Sequence, residues 1–381
     1  MSQFGITTRY GSPPIQRGGW LDALRFIVAF MIILHHFQGS APVPLEQFHA
    51  VFERGGFLLT NFFLIDSGYV LARVYLERVA SGQMSHAGFV RKRYTRVFPA
   101  HLIMSAGLAL LVLATAALGI APSHPEWFDW SQFPAQVGLV QAFGVPGGLG
   151  WNAPTWSISA LLGCYVVFPF VARRIASMNP FAVLGLAVGF YALANVITWA
   201  LLGFPVYQMP MYYGFVRALP LFLLGMGLAQ FASKVFIPAR LAAWTGLLAA
   251  AALVVVQNDD KHALISITLI GLIILAAGAI PVVKKSRMVE TLALVSFSMF
   301  ITNEVVRIAW FGAAELLVQR LGLGVDAQWG LWFAGVGAAV AFAVAFHFAI
   351  DMPLQRILQP WTKRIGEQLS ARRRRPRPQT A

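Results

Sequence analysis

Arg25 and His36 are two ionisable side chains within the first long apolar segment of the chain, LDALRFIVAFMIILHHF. They stand eleven residues apart, about three turns of an α-helix, so the two side chains share one helix face roughly 16 Å apart. Ionisable groups in a bilayer are costly and face a protein interior or a wet cavity. The pair therefore predicts a polar stripe with an imidazole available for acid–base chemistry. The alternatives left open are an interfacial anchor at Arg25 and a hydrogen-bonded packing role for His36.

The composition of the chain indicates that its solvent is lipid. Of 381 residues, 58% are hydrophobic and 12% are charged, and the mean hydropathy is +0.67. A net charge of +14 would suit nucleic acid in a soluble protein, but membrane proteins distribute basic residues by side. We therefore expect an all-α, polytopic integral membrane protein in the lipid bilayer, with no nucleic-acid partner.

Ten apolar segments of membrane-spanning length follow one another along the chain. Most of the 29 Lys and Arg residues fall in alternate connections and in the C-terminal tail, which predicts that both termini are cytoplasmic. We expect a cytoplasmic lead at 1–19, a ten-helix membrane domain at 20–351 and a basic cytoplasmic tail at 352–381. The predicted spans are 20–38, 56–76, 97–120, 154–172, 181–203, 213–233, 240–257, 263–283, 290–311 and 329–350.

The connection at 121–153 is rich in Trp, Pro and Gly and contains an apolar patch too short to span a bilayer. Irregular backbone at membrane depth has to be buried in protein or line a wet cavity. Two interpretations stay open: an outer loop with a re-entrant or interfacial piece that covers a substrate site, and a surface loop with aromatic anchors.

Metal and disulfide chemistry is not expected. Cys164 is the only cysteine, so one chain offers neither a disulfide nor a thiolate site. His35 and His36 are adjacent and point about 100° apart on a helix, and no H-E-x-x-H pattern occurs. We predict no bound metal and no permanently bound cofactor.

A second group of candidate residues lies in the first inward connection, HAGFVRKRYTRVFPAHL. Arg93 and Arg96 are three residues apart and are therefore neighbours on a helix. Two guanidinium groups in that arrangement suit bidentate phosphate binding. Ordinary positive-inside loading of the loop is the alternative.

Four further ionisable residues lie in or beside the predicted spans. Glu304 and Arg307, three apart, predict an internal ion pair. Arg217 has no local partner, and its spacing leaves open a wet cavity or an outward-snorkelling side chain. Asp351 precedes Met352 and Pro353, and we expect it to end the last helix.

The order of the motifs resembles the membrane acyltransferase 3 family, over about residues 20 to 357. The quoted stretches are LDALRFIVAFMIILHHF, FFLIDSGYVLARVY, FVRKRYTRVFPAHL, PTWSISALLGCYVVFPF, VSFSMFITNEVV and AIDMPLQRIL. Members of that family move acetyl or other acyl groups onto carbohydrate. The family's first-span Arg and His match Arg25 and His36, and its Arg-x-x-Arg pair matches Arg93 and Arg96.

The chain departs from the family pattern at three positions. Leu161 stands where a Glu is usual, Asn303 stands where a His is usual, and Asp66 replaces an aliphatic residue in the second span. We expect a divergent branch or an unusual substrate in preference to a loss of activity.

The resemblance implies transfer of an acyl group, acetyl in the first instance, from acyl-CoA to a hydroxyl of an envelope or exported carbohydrate. His36 would serve as general base or acyl relay, because a neutral imidazole suits proton transfer near pH 7. Arg25, Arg93 and Arg96 would hold the donor phosphates, with Arg25 also placed to stabilise oxyanion charge. Asp66 is not part of the family pattern; it is a candidate to orient His36 as an acidic partner, but the depths of the two residues agree only in part, since His36 lies about one turn from the outer face and Asp66 nearer the midplane.

The implied setting is the cell inner membrane, where a carbohydrate or lipid-linked glycan would be the acceptor and polysaccharide-assembly proteins the partners. Two other functions remain open. One is a secondary transporter or flippase that uses the same charges for coupling, and the other is a catalytically silent scaffold for polysaccharide assembly.

Overall fold

A computed structural model describes residues 11–360 except 13, 46–48, 121, 123, 146–149, 257–262 and 359. Regular structure in this part of the chain is helical, without strands. The α-helices are α1 (Trp20–Phe37), α2 (His49–Ala80), α3 (His86–Ala117), α4 (Phe133–Val137), α5 (Trp156–Ile175), α6 (Pro180–Leu202), α7 (Gly214–Lys234), α8 (Ala239–Val256), α9 (Ala263–Ala279), α10 (Arg287–Leu321) and α11 (Val325–Phe346).

Each of the ten predicted spans coincides with one long helix, so the predicted fold class is confirmed. Within the described residues, eight helices are long and apolar enough to cross a membrane. The apolar part of α9 is shorter, at Leu264–Ala279, and α2 carries several charges, including Asp66 and Arg73. The all-α, polytopic membrane architecture is therefore established.

Helix ends differ from prediction where helices extend past their apolar windows. The apolar window predicted a start at residue 97 for the third span, but α3 begins at His86. Ser85 caps this helix, because its Oγ accepts a hydrogen bond from the Gly88 amide at 3.1 Å. α10 likewise runs from Arg287 to Leu321, well beyond the predicted 290–311. Hydropathy locates the membrane-embedded part of a helix, whereas caps decide where the helix itself starts.

α2 and α7 cross in the centre of the bundle, and glycine permits their close approach. A Cβ atom on Gly68 would stand 2.0 Å from the carbonyl oxygen of Phe222, and one on Gly225 would stand 2.0 Å from that of Ile65. Small residues of this kind let membrane helices pack backbone to backbone. The crossing fixes the depth of the neighbouring Asp66, which is 3% exposed.

The predicted inward segments meet at one end of the bundle. Arg17 approaches Glu290 at 3.6 Å, and Arg73 Nη2 donates to the carbonyl oxygen of Ser12 at 3.2 Å. Arg96 pairs with Asp351 at 2.8 Å. We call this the basic end, and we call the opposite end, where residues 124–145 and 150–155 pack on α10, the loop end.

The last helix does not end at Asp351, so that expectation was wrong. A π-helical turn at His347–Asp351 follows α11, and helical structure then continues through residue 358. Proline crowds the carbonyl four residues earlier, and the wider π turn directly before Pro353 gives the helix room to continue past it. The continuation brings Gln355 against α3, where its Nε2 donates to the carbonyl oxygens of Thr95 and Arg96.

Candidate functional site

His36 contacts α10 near the loop end. Its Nδ1 lies 2.6 Å from Oδ1 of Asn303, a residue with no exposed surface. Nδ2 of the same amide donates to the carbonyl oxygens of Met299 at 3.0 Å and Phe300 at 2.7 Å. The imidazole itself stays partly exposed. The structure thus presents a histidine with one nitrogen engaged by a fixed, neutral partner.

An ion pair follows directly on α10, as the sequence predicted. Arg307 donates two hydrogen bonds to Glu304, from Nε to Oε2 at 2.9 Å and from Nη2 to Oε1 at 2.7 Å. The guanidinium also lies over the ring of Trp127, 5.3 Å from its centroid. Both charged groups act electrostatically on His36.

The connection between α3 and α5 is built onto this region. Nδ2 of Asn152 donates to the carbonyl oxygen of Ile301 at 2.9 Å, and the Trp151 amide donates to the carbonyl oxygen of Trp127 at 2.7 Å. Aromatic rings of the connection itself, those of Phe128, Trp130 and Phe133, pack around Trp151, and the Trp130 side chain is half exposed. The segment is therefore a packed cover beside His36.

Asp129 on this connection is exposed, and its pKa is lowered. Its carboxylate accepts hydrogen bonds from both the hydroxyl and the amide of Ser131, and the Gln132 side chain adds a third. Hydrogen bonds to the charged form favour ionisation. The loop end thus presents a fixed negative charge next to its aromatic surface.

Arg25, the other α1 residue, belongs to a different cluster. Its Nε donates to Oδ2 of Asp66 at 2.8 Å and its Nη1 to Oδ1 of Asp22 at 3.1 Å. The sequence suggested that Asp66 orients His36. In the structure, His36 is instead hydrogen-bonded to Asn303, and Asp66 accepts a hydrogen bond from Arg25. Sequence reasoning missed Asp22, although its spacing of three from Arg25 is the signal for a helical pair.

Arg93 and Arg96 project from one stretch of α3 into unlike surroundings. Arg96 is paired with Asp351, which is 1% exposed, and its guanidinium lies over the ring of Phe297 at 4.5 Å. Arg93 lies over the ring of Tyr75 at 5.2 Å and donates from Nη2 to the phenol oxygen at 3.4 Å. No sequence pattern pointed to Tyr75.

Two further cationic side chains lie near the Tyr75 ring. Lys92 Nζ lies 5.2 Å and the Arg78 guanidinium 5.8 Å from the centroid of the Tyr75 ring. Three cations around one aromatic face make a concentrated basic patch, which we call the Tyr75 patch (Tyr75, Arg78, Lys92 and Arg93). It lies at the basic end, on α2 and the start of α3.

α10 connects the basic end to His36. Phe297, under Arg96, and Asn303, beside His36, are six residues apart, which is about 9 Å along a helix. Phe300 stands between them, with its ring 6.2 Å from that of Phe63. Arg96 and His36 thus contact the same short stretch of α10, and the ring of Phe300 lies between their contact points.

Arg217 is buried, so the alternative of an outward-snorkelling side chain was wrong. It is 3% exposed, its Nη2 donates to Oδ1 of Asn61 at 3.0 Å, and its guanidinium lies over the Trp156 ring at 5.0 Å. These partners are far apart in sequence, which is why local spacing did not reveal them.

The fold and these clusters define an all-α integral membrane protein with paired charges buried between its helices. The family model described as an acyltransferase domain matches residues 19–348. The chain therefore belongs to this acyltransferase family.

Two curated relatives agree with that assignment at low identity. "Acyltransferase MdmB" of Streptomyces mycarofaciens is 27% identical over 172 residues, which are 43% of this chain and 41% of the relative. "Protein 2 in picA locus" of Rhizobium radiobacter is 28% identical over 109 residues, which are 29% of this chain and 52% of the relative. The chain thus spans about half the length of each of these relatives. No solved structure matches the chain.

Proposed function

We propose that this protein transfers an acyl group, acetyl in the first instance, from acyl-CoA to a hydroxyl of an envelope or exported carbohydrate, free or lipid-linked. The observation that carries this proposal is the partly exposed imidazole of His36, held by Asn303 within the membrane domain of an acyltransferase-family chain. A neutral imidazole is the side chain best suited to taking a hydroxyl proton near pH 7.

In the proposed reaction, the acceptor hydroxyl gives its proton to the free nitrogen of His36 while its oxygen attacks the thioester carbonyl. The tetrahedral intermediate then expels the CoA sulfur, and the imidazolium returns the proton to that thiolate. The products are an ester and CoA thiol, with no net proton change. An acyl-imidazole relay on His36 would give the same products in two steps.

For the donor, we propose binding at the basic end, with the phosphates on Arg93 and Arg96. Arg93 is the stronger candidate because its recorded partner, the Tyr75 phenol, is neutral, and because the Tyr75 patch adds two more cations. Arg96 has to share its charge with Asp351. Arg25 faces two carboxylates, so a phosphate or oxyanion would have to replace one of them at its guanidinium.

The loop end supplies the proposed acceptor side. The connection over His36 combines exposed aromatic surface at Trp130 with the ionised Asp129, and both kinds of group suit a sugar. The positive-inside rule assigns the basic end to the cytoplasm, where acyl-CoA is made, and the loop end to the far side of the inner membrane. His36 then lies between a cytoplasmic donor and an exported acceptor.

The direct test is transfer of radiolabel from labelled acetyl-CoA to a panel of envelope glycans by the purified protein in nanodiscs. We expect His36→Ala to lower the transfer rate by about 10²- to 10⁴-fold, the usual contribution of a positioned general base. His35→Ala is the matched control: the His35 ring lies 5.4 Å from that of His36 but meets Gln38 through its Nδ1, and we expect this variant to keep its activity. Undiminished transfer by His36→Ala would refute the assignment, and a wild-type protein that binds no CoA would favour transport or a silent scaffold.

A further inference from the structure

We propose that Asn303 is a positioning residue that fixes His36 in the tautomer with its proton on Nδ1, leaving Nε2 to exchange the proton with the acceptor. Calling Nε2 the base rests on the proposed function, but the tautomer itself is a property of the folded protein. Sequence comparison gave no such role to Asn303, which stands there as a departure from the family pattern.

The orientation of the Asn303 amide is determined by its own helix. Nδ2 faces two carbonyl oxygens, those of Met299 and Phe300, which accept hydrogen bonds but cannot donate them. Rotating the amide by 180° would place Oδ1 against both carbonyl oxygens and remove two hydrogen bonds from a fully buried group. The network therefore fixes Oδ1 as the atom that faces His36.

An amide oxygen only accepts hydrogen bonds, so the atom opposite it must donate. Oδ1 of Asn303 lies 2.6 Å from Nδ1 of His36, and Nδ1 consequently carries the hydrogen. In a neutral imidazole the second nitrogen then holds the lone pair. Nε2 is thereby assigned as the atom that accepts a proton.

Glu304 does not compete for this role, although it is a carboxylate on the next residue of α10. Both of its oxygens accept hydrogen bonds from Arg307, and the resulting pair is close to electrically neutral. A neutral amide therefore faces the imidazole. This arrangement holds the ring without keeping it charged, and the Nδ1–H bond to Asn303 persists when Nε2 takes up a proton.

The sharpest test reads the tautomer directly by NMR of ¹⁵N-histidine-labelled protein in detergent, at a pH where the imidazole is neutral. The His36 resonances are assigned by their loss in His36→Gln. We expect Nδ1 of the wild type to show the shift and the one-bond proton coupling of a protonated nitrogen, and Nε2 the shift of an unprotonated one. A wild-type His36 with its proton on Nε2 would overturn the inference without recourse to any variant.

A variant series separates positioning from packing. Asn303→Leu keeps much of the side-chain volume but removes the acceptor, and we expect Nδ1–H to lose its dominance and kcat to fall about 10- to 100-fold. KM for acyl-CoA should stay near the wild-type value, because Asn303 lies away from the Tyr75 patch. Thr302→Val is the matched control: Thr302 is equally buried and bonds only to the Ser298 carbonyl among its recorded partners, so tautomer and kcat should both persist.

The two levels of inference fail separately. Acyl transfer by a protein whose His36 carries its proton on Nε2 would leave the proposed function standing and overturn the role of Asn303. A protein that shows the expected tautomer but transfers no acyl group would overturn the proposed function and leave the tautomer assignment standing. An Asn303→Leu protein that keeps both Nδ1–H and wild-type kcat would overturn the positioning role outright.

Discussion

His36 and Arg25 share one face of α1, yet the protein treats them in opposite ways. The imidazole meets a neutral amide, whereas the guanidinium meets two carboxylates. A full charge is least costly to bury beside a counter-charge, whereas a neutral ring needs only hydrogen bonds. Groups that have been neutralised by ion pairs hold the bundle together, and groups held by neutral partners keep their chemistry available.

The same contrast recurs on α3. Arg96 is paired with a buried aspartate in the π turn that follows α11, while Arg93 lies over the ring of Tyr75 and donates to its hydroxyl oxygen. By the reasoning applied to α1, we expect Arg96 chiefly to join helices and Arg93 to be the arginine available to a ligand. Two residues of one family motif would then have separable roles.

The largest expected effect is on stability, at Arg25. Arg25→Leu leaves both Asp66 and Asp22 buried without their shared counter-ion, and we expect a loss of about 3–5 kcal/mol in the free energy of unfolding. Denaturant unfolding in mixed micelles measures it. His36→Leu, by contrast, leaves only the Asn303 oxygen unsatisfied and should cost about 1–3 kcal/mol.

The paired variant tests the cause of that loss. Arg25→Leu combined with Asp66→Leu removes this pair of charges but leaves Asp22 with the Gly18 amide as a partner, so we expect the part of the stability that Asp66 accounts for to return. Asp66→Leu alone should be mild, because Asp22 still neutralises Arg25 at 3.1 Å. A double variant as unstable as Arg25→Leu would show that the ion pair is not what the guanidinium contributes.

On α3 we expect replacement of Arg96 to lower stability and replacement of Arg93 to raise KM for acyl-CoA. Arg96→Ala leaves Asp351 buried with His347 as its remaining recorded partner, and should cost about 3 kcal/mol of stability, the lower end for a broken buried pair because Arg96 is partly exposed. Arg93→Ala should change stability little and raise KM for acyl-CoA about tenfold, the loss expected for one charge-assisted phosphate contact. Equal KM effects from the two variants would contradict the division of roles.

Much of this architecture was readable from the sequence because it depends on local patterns. Ten apolar segments gave ten helices, and the spacing of Glu304 and Arg307 gave their ion pair, since both follow from the periodicity of a single helix. The placement of Arg25 and His36 on one helix followed in the same way, whereas Arg93 and Arg96 were expected in the connection before the third span and lie instead within α3, which begins at His86.

The partners of those residues were not readable, because they come from remote parts of the chain. Asn303 reaches His36 across 267 positions and Asp351 reaches Arg96 across 255. Asn303 and Asp66 looked like departures from a family pattern, and only the packing of helices against one another shows that each supplies an oxygen to a residue of α1. A hydropathy window likewise carries no sign of the π turn that extends the last helix.

The smallest expected effect is at Trp127, whose ring lies against Arg307 of the Glu304–Arg307 ion pair. Trp127→Leu keeps an apolar side chain under the connection but removes the aromatic face from Arg307, a contact worth about 0.5–1 kcal/mol at a partly exposed site. We expect the KM for the carbohydrate acceptor to rise about two- to fivefold, the equivalent of that energy, with KM for acyl-CoA unchanged. Phe128→Leu is the matched control, because Phe128 lies on the same connection but is buried and packs edge-on against Trp151, without a recorded contact to Arg307. If Trp127→Leu altered the donor KM and left the acceptor KM untouched, the loop end would not be the acceptor side, and the contrast between the two ends of α1 would need a different functional meaning.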